Sequence, residues 1–166
     1  MAGRIHRFLA DDHRRLDALF ERATGDPEKI AAAAYAEFRS GLLKHIAMEE
    51  KVLMPAAQKR RGGRALMAAG RLRLDHAALV ALLVPSPTPA IAAAIRAIFA
   101  RHNPVEESGG GVYDQAEEAI GEDGAALLQQ LQHFPEVKVL PHVDNDFVMD
   151  AARRALTRAG HADLKV

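Results

Sequence analysis

Apolar residues recur along the chain at intervals of three and four, the period of a helix with one face turned inward. The first stripe is Ile5, Phe8, Leu9, Leu16, Leu19 and Phe20, and it stops near Thr24-Gly25. Asp26-Pro27 reads as a cap with a first-turn proline. It opens a second helix through Ile30, Ala34, Phe38, Leu42, Val52 and Leu53 to a turn at 61–63. A third helix is predicted over 64–84, with Leu66, Leu72, Leu79 and Leu83 inward. The proline-rich stretch at 85–89 ends it. Thr88-Pro89 repeats the cap-and-proline signature for a fourth helix, which carries Ile91, Ile95, Ile98 and Phe99.

Short connections favour antiparallel neighbours, so the expected architecture is all-α, an up-down-up-down four-helix bundle over residues 1–120. Beyond Glu107 the pattern is less regular, and residues 121–166 are expected as a C-terminal extension. Helical pieces are expected at 113–120 and 125–134, then an irregular PEVKVLPHVDN segment. A last amphipathic helix is expected over 147–158, capped by Asp144 or Asn145. This C-terminal extension is too short for a core of its own and is expected to pack on the bundle.

Each of the four bundle helices carries a histidine inside its apolar stripe. His13 lies between Leu9 and Leu16, His45 three after Leu42, His76 three before Leu79, and His102 three after Phe99. One such residue alone reads as a core histidine bonded to a carbonyl, because an unpaired buried imidazole is costly. Four change that reading. Residues symmetric about an antiparallel turn share a height, and the midpoints of successive histidine pairs fall at 29, between 60 and 61, and at 89, on or beside the three turns. The four imidazoles therefore occupy one layer.

Glu49 and Glu106 join it. Each follows a histidine by four, which displaces it about 40° around the helix and about 6 Å along it, on the same inward face. A single H-x-x-x-E is a common surface pair and a weak signal. Two copies of H-x-x-x-E-E on apolar faces at matching heights are a strong one. Two buried carboxylates without cations would repel, and one would have to take up a proton. Two divalent ions resolve this, bridged by carboxylate and completed by imidazole, and such mixed nitrogen–oxygen ligation suits Fe, Mn or Zn and favours iron. Candidate metal ligands are thus His13, His45, Glu49, His76, His102 and Glu106. Glu50 and Glu107 are either hydrogen-bonding supports or solvated rim residues. Pro104, inside the second copy, predicts a kink between His102 and Glu106.

Composition narrows the chemistry further. The 166 residues include no cysteine, which excludes disulfides, Fe–S clusters and thiolate zinc sites. Lysine plus arginine equals aspartate plus glutamate, 22 each, so no global field points to nucleic acid or an anionic membrane. The charged N-terminus lacks an apolar signal region and no window is apolar enough to span a membrane. A cytoplasmic protein is expected.

At these motifs the chain resembles the hemerythrin-like family of HHE cation-binding domains. The likeness rests on DHRRLD at His13, HIAMEEKVLMP at His45 and Glu49, DHAAL at His76 and RHNPVEE at His102 and Glu106, and covers about residues 4 to 120. It implies a four-helix bundle around two iron ions, oxo- or hydroxo-bridged, that bind a small diatomic or peroxide ligand. Zinc or manganese suits the same donors in isolated protein. Oxygen-carrying members have a second histidine on the third helix, one turn from the first. Here Leu72 and Val80 stand at the positions four away from His76. Water, an exogenous ligand or another side chain would fill that gap, and His6, Tyr113 and His142 are the side chains that could approach it. His6 otherwise reads as a solvated residue near a terminus and Tyr113 as a core aromatic. His133, His142 and His161 read as surface or extension-packing residues.

The incomplete ligand set favours binding or sensing of O₂, NO or peroxide over reversible oxygen carriage. The alternatives are an oxidoreductase consuming peroxide or NO at the same centre, and a metal-storage or structural bundle. The sequence does not indicate an oligomeric state.

Overall fold

The computed structural model describes residues 3–26 and 28–166, and within them the regular structure is helical. Helix α1 spans Arg4–Thr24. Helix α2 spans Ala32–Met48 and continues through a π turn, Glu49–Leu53, into α3, Met54–Arg60. Helices α4, Ala69–Leu82, and α5, Pro89–Glu107, follow. Then come α6, Val112–Ile120, a 3₁₀ turn, Gly121–Asp123, α7, Gly124–Gln132, and α8, Asp146–Arg158. No helix among the described residues is long and apolar enough to cross a membrane.

The predicted stripes are the buried ones. Ile5, Leu9, Leu16, Leu19, Phe20, Phe38, Leu42, Leu53, Leu72, Leu79, Ile91, Ile95 and Ile98 are all in the core, while Phe8 and Phe99 are half-buried. Thr88 caps α5 as its sequence suggests, its Oγ1 accepting from the Ile91 N–H at 3.2 Å. Asn145 rather than Asp144 caps α8, accepting from Val148 N–H at 2.9 Å. Asp144 instead accepts from the backbone and hydroxyl of Ser86, both at 2.7 Å.

Two boundaries differ from expectation. Helix α2 begins at Ala32, without a side-chain cap, and not at the Asp26 signature. Asp26 accepts from Glu28 N–H within a local turn, while Ala31 donates to the Ala23 carbonyl at 2.8 Å. The link between α1 and α2 takes up those backbone groups, so the helix cannot start earlier; Pro27 lies outside the described residues. Helix α4 starts at Ala69 and not near 64, because residues 64–66 are irregular and 67–68 form a turn.

The apolar core forms two blocks. One contains Leu16, Phe20, Phe38, Leu42, Ile46, Leu79 and Ile98, and is closed by Ala152 and Leu156 of α8. The other contains Ile5, Leu9, Met48, Leu53 and Leu72, and is closed by residues of α6 and α7, including Tyr113, Leu127 and Leu131. The C-terminal segments are held by more than apolar contact. Buried Arg39 donates to the carbonyls of Leu83 and Leu140, each at 2.8 Å, and Val143 N–H reaches the Val84 carbonyl at 3.1 Å. Between the two blocks lies a polar layer.

Candidate metal centre

That layer is made by the four histidines and two glutamates. Helices α1, α2, α4 and α5 each bring one imidazole inward, with the His13 and His45 ring centroids 4.4 Å apart and those of His76 and His102 4.9 Å apart. Glu49 and Glu106 are 0% exposed and lie between the rings. His45 Nε2 is 3.3 Å and His76 Nε2 3.1 Å from Glu49, while His13 and His102 Nε2 are 3.5 and 3.2 Å from Glu106. Every imidazole thus turns Nε2 toward a buried carboxylate.

The six side chains fall into two groups that can each hold a metal ion, His13–His45–Glu49 and His76–His102–Glu106. Whether this donor set fits a cation can be read from three orphaned atoms. Glu49 Oε2, His76 Nε2 and Glu106 Oε1 are buried and have no hydrogen-bond partner. They face one another, with His76 Nε2 3.1 Å from the first oxygen and 3.8 Å from the second. Buried polar atoms are otherwise almost always paired, and a carboxylate left without a partner is costly. Two neutral-nitrogen pairs and two carboxylates converging on unpaired atoms fit divalent cations.

The protonation pattern without a cation points the same way. Burial alone would lower the pKa of His45, but the Glu49 charge and the Asp12 hydrogen bond outweigh it and raise it to about 10. For His76, burial is likewise overcome by the neighbouring carboxylates of Glu106, Glu49 and Glu50, which raise it to about 12. His102 is raised to about 9 against its burial, by Asp75 and Glu106. Burial would raise Glu49, yet the His45 charge and the imidazole hydrogen bonds hold it well below the usual carboxylate range. In the metal-free state, protons on imidazoles balance the buried carboxylates.

Behind the rings, every Nδ1 meets another carboxylate, and the pairing follows a cycle. Asp12 of α1 faces His45 of α2 at 2.8 Å, and Glu50 of the π turn faces His76 of α4 at 2.8 Å. Asp75 of α4 faces His102 of α5 at 3.3 Å, and Glu107 of α5 returns to His13 of α1 at 2.5 Å. Such partners fix ring orientation and leave Nε2 available to a metal. Glu50 and Glu107, which the sequence leaves between support and solvated rim, are supports. Asp12 and Asp75 were not singled out from sequence. The signal was present, since each precedes a core histidine in a D-H pair, but each serves the histidine of the next helix and not its own neighbour.

Tyr113 is a core aromatic, as expected, and is also part of the centre. Its hydroxyl donates to Glu49 Oε1 at 2.6 Å and lies 3.3 Å from Glu106 Oε2, 3.3 Å from His13 Nε2 and 3.4 Å from His45 Nε2. Burial, then the charges of Glu49 and Glu106, push its pKa well above the ordinary phenol value, so it stays protonated. His6 is not the solvated residue its position suggests. It is buried, bonded through Nδ1 to Asp114 at 2.6 Å, because α6 folds back over the start of α1. His142 sits away from the centre, its Nδ1 3.3 Å from the Val84 carbonyl. His133 is exposed and bonds to the Gln129 carbonyl, while His161 packs from the C-terminal segment against Asp75 at 2.7 Å.

The kink expected at Pro104 is replaced by an irregularity in the other copy. Helix α5 stays α-helical through Pro104 to Glu107, and the π turn falls at Glu49–Leu53, where no proline stands. Pro104 lies in the last turn of α5, where few hydrogen bonds remain to be broken. A π turn widens the helix locally and is frequent at functional sites. Here it accompanies two consecutive acids, Glu49 and Glu50, that serve the interior and the His76 ring.

Among known families, the model for the hemerythrin HHE cation binding domain aligns with residues 4–109. No curated protein and no solved structure matches the chain.

Proposed function

Since the chain belongs to the hemerythrin HHE cation-binding family, we propose that its main helices run up-down-up-down around two iron ions and that this centre binds or senses O₂, NO or peroxide. One ion is held by His13, His45 and Glu49, the other by His76, His102 and Glu106. The observation that carries the reading is the set of orphaned atoms, Glu49 Oε2, His76 Nε2 and Glu106 Oε1, buried and facing one another. Iron would supply electron exchange and an open coordination position, and sulfur-free nitrogen–oxygen donors suit it.

The chain's own residues supply the rest. A cavity of about 10 Å³ adjoins all four histidines and is walled by Leu16, Leu42, Ile46, Leu79 and Phe99. That is on the order of the room one water needs, which suits a diatomic or peroxide and rejects larger substrates. Its apolar walls exclude bulk water and strengthen the electrostatics inside. Tyr113 holds a proton beside Glu49 and fixes that carboxylate. Asp17 and Asn103 complete the lining of the cavity.

The test is an anaerobic titration with ferrous iron followed by O₂, NO and hydrogen peroxide in separate samples. Binding of two irons per chain, with an optical change that saturates at one small ligand per centre, is the expected result. Two bound irons whose spectrum ignores all three ligands would overturn the oxidant-binding reading. Selective retention of spectroscopically silent zinc would favour a structural metal.

A further inference from the structure

The four carboxylates behind the imidazoles are not anchored alike. Asp12 is held by Arg15 at 2.7 Å and Glu50 by Arg73 at 3.1 Å, both arginines being exposed, and Glu107 is half-buried. Asp75 is 0% exposed. Its Oδ2 faces His102, and its Oδ1 accepts from His161 Nε2 at 2.7 Å. His161 is itself buried and lies well beyond the 4–109 stretch that the family model covers.

Local structure delivers His161 to this place. Helix α8 is stopped two residues before Gly160, which has φ 81, and the His161 N–H returns to the Leu156 carbonyl at 2.8 Å while Gly160 N–H reaches the Thr157 carbonyl at 3.1 Å. This pair of bonds is the glycine-terminated helix stop, which reverses the chain at a fixed angle. Beyond it, Arg101 Nη1 is 3.2 Å from His161 Nδ1, and Arg101 also holds Asp163 at 2.9 Å. Arginine only donates, so Nδ1 must accept, which leaves the proton on Nε2 to be donated to Asp75. Asp75 then accepts from His102 Nδ1–H, which leaves Nε2 as the nitrogen whose proton a cation can replace.

We propose that His161 is a positioning residue: the C-terminal segment, through His161 and Asp75, sets the orientation and tautomer of His102 and so tunes only the His76–His102–Glu106 half of the centre. The proposal rests on the two-metal reading above. Coupling of this kind is reciprocal, so metal in that half also secures the docked C-terminal segment.

The test is a cobalt(II) titration of the full chain, followed optically. His45→Ala isolates the half containing His102, and His76→Ala isolates the other. Adding His161→Phe to the first should weaken cobalt binding by about 10- to 100-fold, the usual cost of losing a ligand's hydrogen-bond partner. Adding it to the second should change affinity less than about twofold, since the side-chain bonds of His161 go to Asp75 and Arg101 and to none of His13, His45 and Glu49. His161→Gln, which keeps a donor to Asp75, should restore most of the affinity. In the otherwise unaltered chain, cobalt should slow amide exchange across 159–166, and His161→Phe should abolish that slowing. Equal weakening of both halves, or none in either, overturns the proposal. Failure of the unaltered chain to bind cobalt at all would instead overturn the two-metal reading.

Discussion

Each imidazole of the centre is held at both nitrogens, one by a carboxylate behind it and the other facing a carboxylate within. The consequence at this scale is that metal must displace protons. His45, His76 and His102 have pKa values raised to about 10, about 12 and about 9, so near neutral pH they carry protons until a cation replaces them. Metal uptake at pH 7 should therefore release protons, readable with an indicator dye in weak buffer, and apparent affinity should fall from pH 8 to pH 6. Uptake without proton release would mean that these imidazoles are not the ligands. Tyr113 gives a second expectation. Its hydroxyl donates to a buried carboxylate, so Tyr113→Phe should cost the metal-free protein about 2 kcal/mol in urea unfolding. A neutral result would show that Glu49 finds another donor. The six candidate ligands were legible as residues because helical spacing and turn symmetry are short-range facts. Tyr113, Asp12 and Asp75 join the centre through contacts between helices. Which histidine an aspartate serves depends on how neighbouring helices rotate, and spacing along one strand of sequence does not encode that.

At the scale of elements, both E-E doublets sit where the α-helical ladder lapses. Glu49-Glu50 opens the π turn, and Glu106-Glu107 ends α5. In a regular helix adjacent residues diverge by about 100°, which makes it hard for both to serve one site. The lapse relaxes that constraint. Sequence showed the interruption after Glu107 through its glycines, and gave no sign of the π turn, which follows from packing and not from a breaker residue. It also assigned Pro104 a kink, yet α5 runs on, because the proline sits one turn from the helix end. Pro104 is exposed and outside the ring of supports. Pro104→Ala should thus leave metal stoichiometry unchanged and raise stability by about 1–2 kcal/mol, the helix-propensity gain less the added freedom of the unfolded chain. Thermal unfolding with metal analysis reads both. A loss of one metal would instead give the proline a role in aiming Glu106. The α2 start shows a similar limit, since Asp26 had the chemistry of a cap and spent it on the turn that crosses from α1.

Across the whole molecule, a polar layer lies between two apolar blocks, and elements far apart in sequence close each block: α8 on one side, α6 and α7 on the other. Helical class and stripes were readable because local periodicity dictates them. The docking of His161 on Asp75 was not, since it joins residues 86 positions apart. Binding energy at such a centre is also folding energy. Removal of metal by a chelator should lower the melting temperature by about 20 °C, from the linkage expected when free metal exceeds its dissociation constant about a thousandfold at each of two sites. The central claim, that six residues on four helices hold two metal ions, is tested most directly by metal analysis of protein reconstituted anaerobically with ferrous iron. The account predicts two irons per chain, and at most one in both His45→Ala and His76→Ala. Fewer than one iron in the unaltered chain, or two in either variant, would contradict it.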